Sequence, residues 1–185
     1  MAPISKYSPQ KLNECFYFDE SDINRPRRGL KKLWDLFFLS SFSMPVLMRI
    51  SQYYYNKGWL GRLIGSVFRR LNEILNNFEH GSNPNIEKGI VFHHNAVCIT
   101  SDTVIESGVH IYRNVTFGIK NGKAPYIKSK AKIASHSIIL GGVVVGKKSI
   151  VSPGAVVLND VPDGKVVGGV PAKVIADVTE KNYNF

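Results

Sequence analysis

His93 and His94 stand side by side in Gly89-Ile-Val-Phe-His-His-Asn-Ala-Val-Cys-Ile-Thr100, an apolar run rich in β-forming residues. A buried imidazole needs a partner, because an unpaired polar group in an apolar interior costs roughly 1–3 kcal/mol. Imidazole is also the side chain suited, near neutral pH, to take a proton from a weak acid such as a hydroxyl. His80, His110 and His136 complete the histidine set. Five imidazoles raise the question of a metal centre, but no His-x₄-His or similarly spaced pair accompanies the doublet. Cys15 and Cys98 lie far apart without CxxC spacing. No metal is expected, and a reducing compartment is the simpler reading of the thiols.

The elements that position the doublet follow a period of six. From Ile127, aliphatic residues recur at Ile133, Ile139, Val145, Val151 and Val157. Four places after each of the first five stand Ala131, Ser137, Val143, Ser149 and Ala155. The same register runs upstream through Ile99, Ile105, Ile111 and Phe117, with Thr103, Val109 and Val115 in the second slot. Antiparallel alternation would repeat every two residues. A sustained six-residue repeat signifies a parallel β-helix whose aliphatic residues point inward and whose small residues fit the corners. In this frame Phe92 points inward and the two histidines fall at the following turn. Between Phe117 and Ile127 ten residues replace six, so part of Gly118–Tyr126 must leave the coil as a loop.

Before the repeat the periodicity is helical: Leu60, Leu63, Ile64, Val67, Phe68, Leu71 and Leu75 mark one face. Gly58 and Gly61 are expected to divide this region into two helices, and Pro45 to start or kink the first. The expected organisation is a mainly β chain: an N-terminal helical region with a polar lead-in over 1–77, a β-helix over 78–176, and a tail over 177–185. The net charge of +10 favours an anionic partner, for which nucleic acid, anionic lipid, acidic glycan and a phosphorylated cofactor all qualify. Met1 to Asn24 is polar and acid-bearing, unlike a secretory signal, and Leu33–Ile50 is too interrupted by polar residues to span a bilayer. A cytoplasmic protein is expected. Peripheral contact with the inner face of the membrane is a sharper reading of Arg25–Lys32 with Trp34, Phe37 and Phe38.

The hexad register, the loop and the ending Val161-Pro-Asp-Gly-Lys-Val-Val-Gly-Gly-Val-Pro-Ala-Lys-Val-Ile175 resemble the hexapeptide-repeat acyltransferases. The nearest branch resembles serine acetyltransferase and the O-acetyltransferases of capsular and exopolysaccharides. The resemblance implies a left-handed β-helix, a homotrimer, and acetyl-CoA bound in clefts between subunits. The family's catalytic histidine falls on His94, with His93 in the place of the preceding acid. The carboxylate that orients it, fifteen positions earlier, falls on Glu79. A hydroxyl attacks a thioester poorly unless a base takes its proton, and a carboxylate on the far ring nitrogen fixes the tautomer.

The resemblance further implies acetyl-CoA contacts at Gly118, Ala134, Gly168, Gly169 and Lys173, with Lys147, Lys148 and Lys165 as other phosphate candidates. Acceptor contacts are implied at His93, Lys123 and Tyr126. Serine acetyltransferases carry an Arg-His pair where this chain has Lys123 and Ala124 before Pro125. That departure, with a shorter helical region, turns the expected acceptor from L-serine to a sugar hydroxyl of an anionic glycan. Nucleic acid is not expected. A metal-dependent hydratase and a non-catalytic binding solenoid are the rivals from other classes.

Overall fold

The computed structural model describes residues 11, 40–82 and 84–183 of the chain. The polar lead-in, Cys15 and the Arg25–Phe38 cluster lie outside the described residues.

Two helices come first, α1 (Ser40–Tyr55) and α2 (Gly58–Asn76). Pro45 sits inside α1 rather than at its start. Gly58, at φ 73°, marks the break between the helices. Gly61 does not: it lies within α2, where a Cβ would come 2.3 Å from the Tyr54 carbonyl oxygen of α1. Its smallness serves close helix packing rather than a second break.

Short strands then wind into stacked coils. The first coil holds β1 (Glu79–His80), β2 (Asn85–Ile86) and β3 (Val91–Phe92). The second holds β4 (Cys98–Ile99), β5 (Val104–Ile105) and β6 (His110–Ile111). The third holds β7 (Thr116–Gly118), β8 (Tyr126–Ile127) and β9 (Lys132–Ile133). The fourth holds β10 (Ile138–Leu140), β11 (Val144–Val145) and β12 (Ile150–Val151). β13 (Val156–Val157) opens the last turn, which closes with the antiparallel pair β14 (Lys165–Gly168) and β15 (Lys173–Asp177). A short helix, α3 (Glu180–Tyr183), follows.

The strands assemble into three sheets, β1-β4-β7-β10-β13, β2-β5-β8-β11 and β3-β6-β9-β12-β14-β15. Every pairing is parallel except the last. This is the parallel β-helix that the hexads lead one to expect, with the left hand that the family resemblance implies. The ladder from Ile99 to Val157 is at most 1% exposed, and Thr103, Ala131, Ser137, Ser149 and Ala155 are fully buried at the corners. Buried hydroxyls need acceptors, and the turn supplies them. Ser137 Oγ donates to the Ala134 carbonyl at 2.7 Å, and Ser149 Oγ to Gly146 at 2.6 Å.

Cys98 pairs with Thr116 and Ile138 with Val156, so a regular coil takes eighteen residues. Thr116 pairs with Ile138 and Val104 with Tyr126 across twenty-two, so the loop after β7 carries the four extra residues.

The helices close the open end of this stack. Met44 and Met48 enter the core, while the buried Arg49 donates to the carbonyls of Ile86 (2.6 Å) and Glu87. Gln52 Nε2 donates to the Pro84 carbonyl at 2.9 Å. A β-stack otherwise ends in an open strand edge, which invites pairing with another chain.

Candidate active site

The first coil departs from the repeat at the corner that carries the histidines. Phe92 and Ile99 both point inward, yet they are seven residues apart instead of six. Val91 pairs with His110 across nineteen residues, as do Glu79 with Cys98 and Asn85 with Val104. The residue at the left-handed position of this corner is Ala96 (φ 62°), with Asn114 (φ 57°) and His136 (φ 64°) in the coils above. His93, His94 and Asn95 therefore occupy the space that Tyr112 and Arg113 fill one coil up. The extra residue leaves His94 exposed at the edge between the third and first sheets.

The end of α2 fixes this corner. Asn77, at φ 49°, ends the helix by returning its N–H to the Glu73 carbonyl at 3.0 Å. The Asn76 carbonyl then accepts the Ala96 N–H at 3.2 Å. The Asn76 side chain makes two hydrogen bonds, and its partner Asn72 a further one. Asn76 Nδ2 donates to Asn72 Oδ1 (2.7 Å), Ser43 Oγ donates to Asn76 Oδ1 (2.9 Å), and Asn72 Nδ2 donates to the Met44 carbonyl (2.9 Å). All three side chains are buried.

Glu79 leaves the same junction on β1 and is exposed. Its carboxylate faces the Cys98 thiol at 3.8 Å, and among the described residues no hydrogen bond joins it to His94. Burial first, then the charge of Glu79, push the Cys98 thiol up, so it stays S–H and can donate. Arg70, Glu73, Asn77 and Glu79 line a cleft of about 370 Å³ at this end of α2.

His93 turns the other way. Its ring stacks on Tyr112 with centroids 4.1 Å apart and planes 8° off parallel. Its Nε2 lies 3.0 Å from His110 Nδ1, so one ring donates to the other. His110 belongs to β6 beside His93. The nineteen-residue register of the first coil sets His110 opposite Val91 and so brings it diagonally beside His93.

His80 fills the inward slot opposite Ile99 and is 2% exposed. Its Nδ1–H donates to the Gly81 carbonyl at 2.8 Å, and its buried Nε2 has no partner among the described residues. Burial, above all, pulls its pKa down to about 4, so the ring is neutral.

The other expected contacts divide between faces. Ala134 follows β9, and Gly168 and Lys173 pair across β14 and β15, so these three share the third sheet. Gly169 follows at φ 96°, a backbone position suited to glycine. Gly118 ends β7 on the first sheet, where a Cβ would come 2.6 Å from Leu140 Cδ2. Lys123 lies in the exposed loop, and Tyr126 stands on the second sheet, off the His94 corner of its own chain. The Tyr126 hydroxyl donates to Glu106, which raises its pKa to about 12, with burial contributing less. Among the described residues no three His, Cys, Asp or Glu side chains converge as a metal site would require.

No family model matches the chain. It is 30% identical over 159 residues to the serine acetyltransferase of Buchnera aphidicola, an alignment covering 82% of this chain and 57% of that enzyme. It is 32% identical over 128 residues to the serine acetyltransferase of Bacillus subtilis, covering 66% of this chain and 57% of the relative. Among solved structures, a serine acetyltransferase in complex with CoA matches with a TM-score of 0.68 and 26% identity, over 77% of this chain and 60% of that one. The chain is a left-handed hexapeptide-repeat β-solenoid related to the serine acetyltransferases. This serine acetyltransferase relative spans 57% of the length of both curated enzymes. A shorter stretch of 55 residues is 49% identical to a tetrahydropyridine-dicarboxylate N-acetyltransferase of Clostridium perfringens, covering 30% of this chain. The relatives thus share acetyl transfer in their names and differ in the acceptor.

Proposed function

We propose that this chain is an acetyl-CoA-dependent O-acetyltransferase and that its acceptor is L-serine. The observation that carries this reading is the likeness to serine acetyltransferases in sequence and structure, over a span that includes the helical cap and the His94 corner. It displaces the sugar hydroxyl as first acceptor.

In the proposed reaction the acceptor hydroxyl attacks the thioester carbonyl while the exposed His94 ring takes its proton. The new C–O bond forms, the C–S bond breaks, and the imidazolium returns the proton to the leaving CoA thiolate. Glu79 exchanges the Cys98 thiol for the far nitrogen of His94, fixing the tautomer and stabilising the cation. Ala134, Gly168, Gly169 and Lys173 would hold acetyl-CoA along the third sheet. Lys123 and Tyr126 stand on another face, so their acceptor contacts require a neighbouring subunit. We therefore assign a homotrimer with sites between subunits, and light scattering should return three times the 20.6 kDa chain mass.

A sugar hydroxyl remains the second reading, favoured by Lys123 and Ala124 standing before Pro125 in place of the relatives' Arg-His pair. Thiol release from acetyl-CoA, measured against L-serine and a panel of capsular oligosaccharides, separates the two. Faster release with L-serine is expected. Release with an oligosaccharide alone would move the acceptor, and none with any would favour a binding solenoid.

A further inference from the structure

The corner that exposes His94 has few bonds of its own. His93 returns its N–H to the Ile111 carbonyl at 3.0 Å, and the next bond of the corner backbone runs from the Ala96 N–H to the Asn76 carbonyl at 3.2 Å. His94 and Asn95 lie between these two anchors. The His94 side chain makes no hydrogen bond or ring contact with a described residue. A base must nevertheless reach its proton within about 3 Å, and a misplacement of about 1 Å can cost roughly 10²-fold in rate. What aims the His94 ring must therefore act through the residues beside it.

His93 is the better held of those neighbours. The Tyr112 ring lies flat against it, with centroids 4.1 Å apart and planes 8° off parallel. The His110 ring stands 5.2 Å away at 27°, and its Nδ1 meets His93 Nε2 at 3.0 Å. Both partners belong to the second coil and are tied to the third. The His110 N–H donates to the Ala131 carbonyl at 2.9 Å, and the Tyr112 N–H to Ile133 at 3.0 Å. The grip on His93 is thus anchored in the regular ladder rather than in the loose corner. On the far side of His94, Arg113 Nη2 donates to Asn95 Oδ1 at 3.4 Å, a longer and weaker contact.

We propose that His93 is a positioning residue for the base, clamped by His110 and Tyr112 so that the backbone one residue on presents His94 in a single orientation. This role takes the place of the acceptor contact expected for His93. It rests on the reading of His94 as the base, and it gives His110 and Tyr112 a part in the same site.

The test is steady-state thiol release from acetyl-CoA with the preferred acceptor, for the unaltered chain, His110→Ala and His110→Asn. Asn carries an amide group where histidine has Nδ1, so it can meet His93 Nε2 again. His110→Ala should lower kcat about tenfold, with KM for acetyl-CoA and for the acceptor within about twofold of the unaltered values. His110→Asn should recover most of the loss. Tyr112→Leu removes the stacked ring but keeps the bond, and should show the same fall in kcat at constant KM; it serves as the test if His110→Ala does not fold.

Unchanged kcat in the variants would overturn the proposal, as would equal losses in His110→Ala and His110→Asn. A raised acceptor KM with kcat intact would return His93 to contact with the acceptor and overturn it too. His94→Ala, assayed alongside, separates this failure from that of the underlying reading. Full turnover by His94→Ala would remove the base and the clamp together, whereas an impaired His94→Ala beside unaffected clamp variants would remove the clamp alone.

Discussion

The regular coils from Tyr126 to Val157 and the first coil from Glu79 to Ile99 belong to one ladder but are filled differently. In the regular coils each inward slot is aliphatic and each buried hydroxyl finds a carbonyl within its own turn. In the first coil the inward slot opposite Ile99 is a histidine, one corner has an extra residue, and the Pro84, Ile86 and Glu87 carbonyls and the Ala96 N–H find their partners on the helices. The regular region is a support whose parts resemble one another. The irregular region is where the protein places side chains that a repeat would hide. The exposed His94 exists because the repeat breaks there.

The ladder should give the largest stability effect. Ile133 is fully buried between Ile111 and Val151, so Ile133→Ala should cost about 2–5 kcal/mol in denaturant unfolding, through lost contacts and the cavity left behind. A cost below the range for a surface substitution would mean that the coils relax independently.

His80 sharpens the contrast through pH. Its folded pKa of about 4 lies below the ordinary value of 6.5, so between the two the unfolded chain binds the extra proton. Stability is complete above pH 6.5 and falls as the pH drops toward 4, by up to about 3 kcal/mol. The gap in unfolding free energy between the protein and His80→Phe should change by that amount across the window. Parallel pH curves for the two would show that His80 is hydrated in the folded state.

The polar networks differ next. Asn72→Leu strips partners from the Met44 carbonyl and from Asn76, and should cost about 1–3 kcal/mol. It should also lower turnover, since Asn76 holds the corner at Ala96. Ser137→Ala removes one local hydrogen bond in a regular coil and should cost about 0.5–1.5 kcal/mol without changing turnover. Equal effects on turnover would erase the distinction between support and site.

Much of this arrangement can be read from residue spacing. The aliphatic ladder, the corner residues and the loop after Phe117 all follow from the period of six, because burial on one face of a repeat selects residue type strongly. The seven-residue step from Phe92 to Ile99 is present in the sequence too, although a single insertion beside a histidine pair carries little weight until the register is seen. Other features leave no local trace. Lys130 and Lys148 adopt left-handed corners, which their side chains do not favour; the stacking of coils imposes them. His80 hides its role because the first hexad is largely polar. Glu79 was placed by the family's fifteen-residue interval, and the structure sets it against Cys98. Its pairing with His94 is a step of the proposed reaction.

The central claim is that the break in the repeat exposes His94 to act as the base. The direct measurement is steady-state thiol release by His94→Ala with acetyl-CoA and the preferred acceptor, alongside acetyl-CoA binding to the same variant. A loss of about 10²–10⁴-fold in kcat with binding retained is the predicted result. Turnover close to that of the unaltered protein would remove His94 from the chemistry and with it the meaning assigned to the corner.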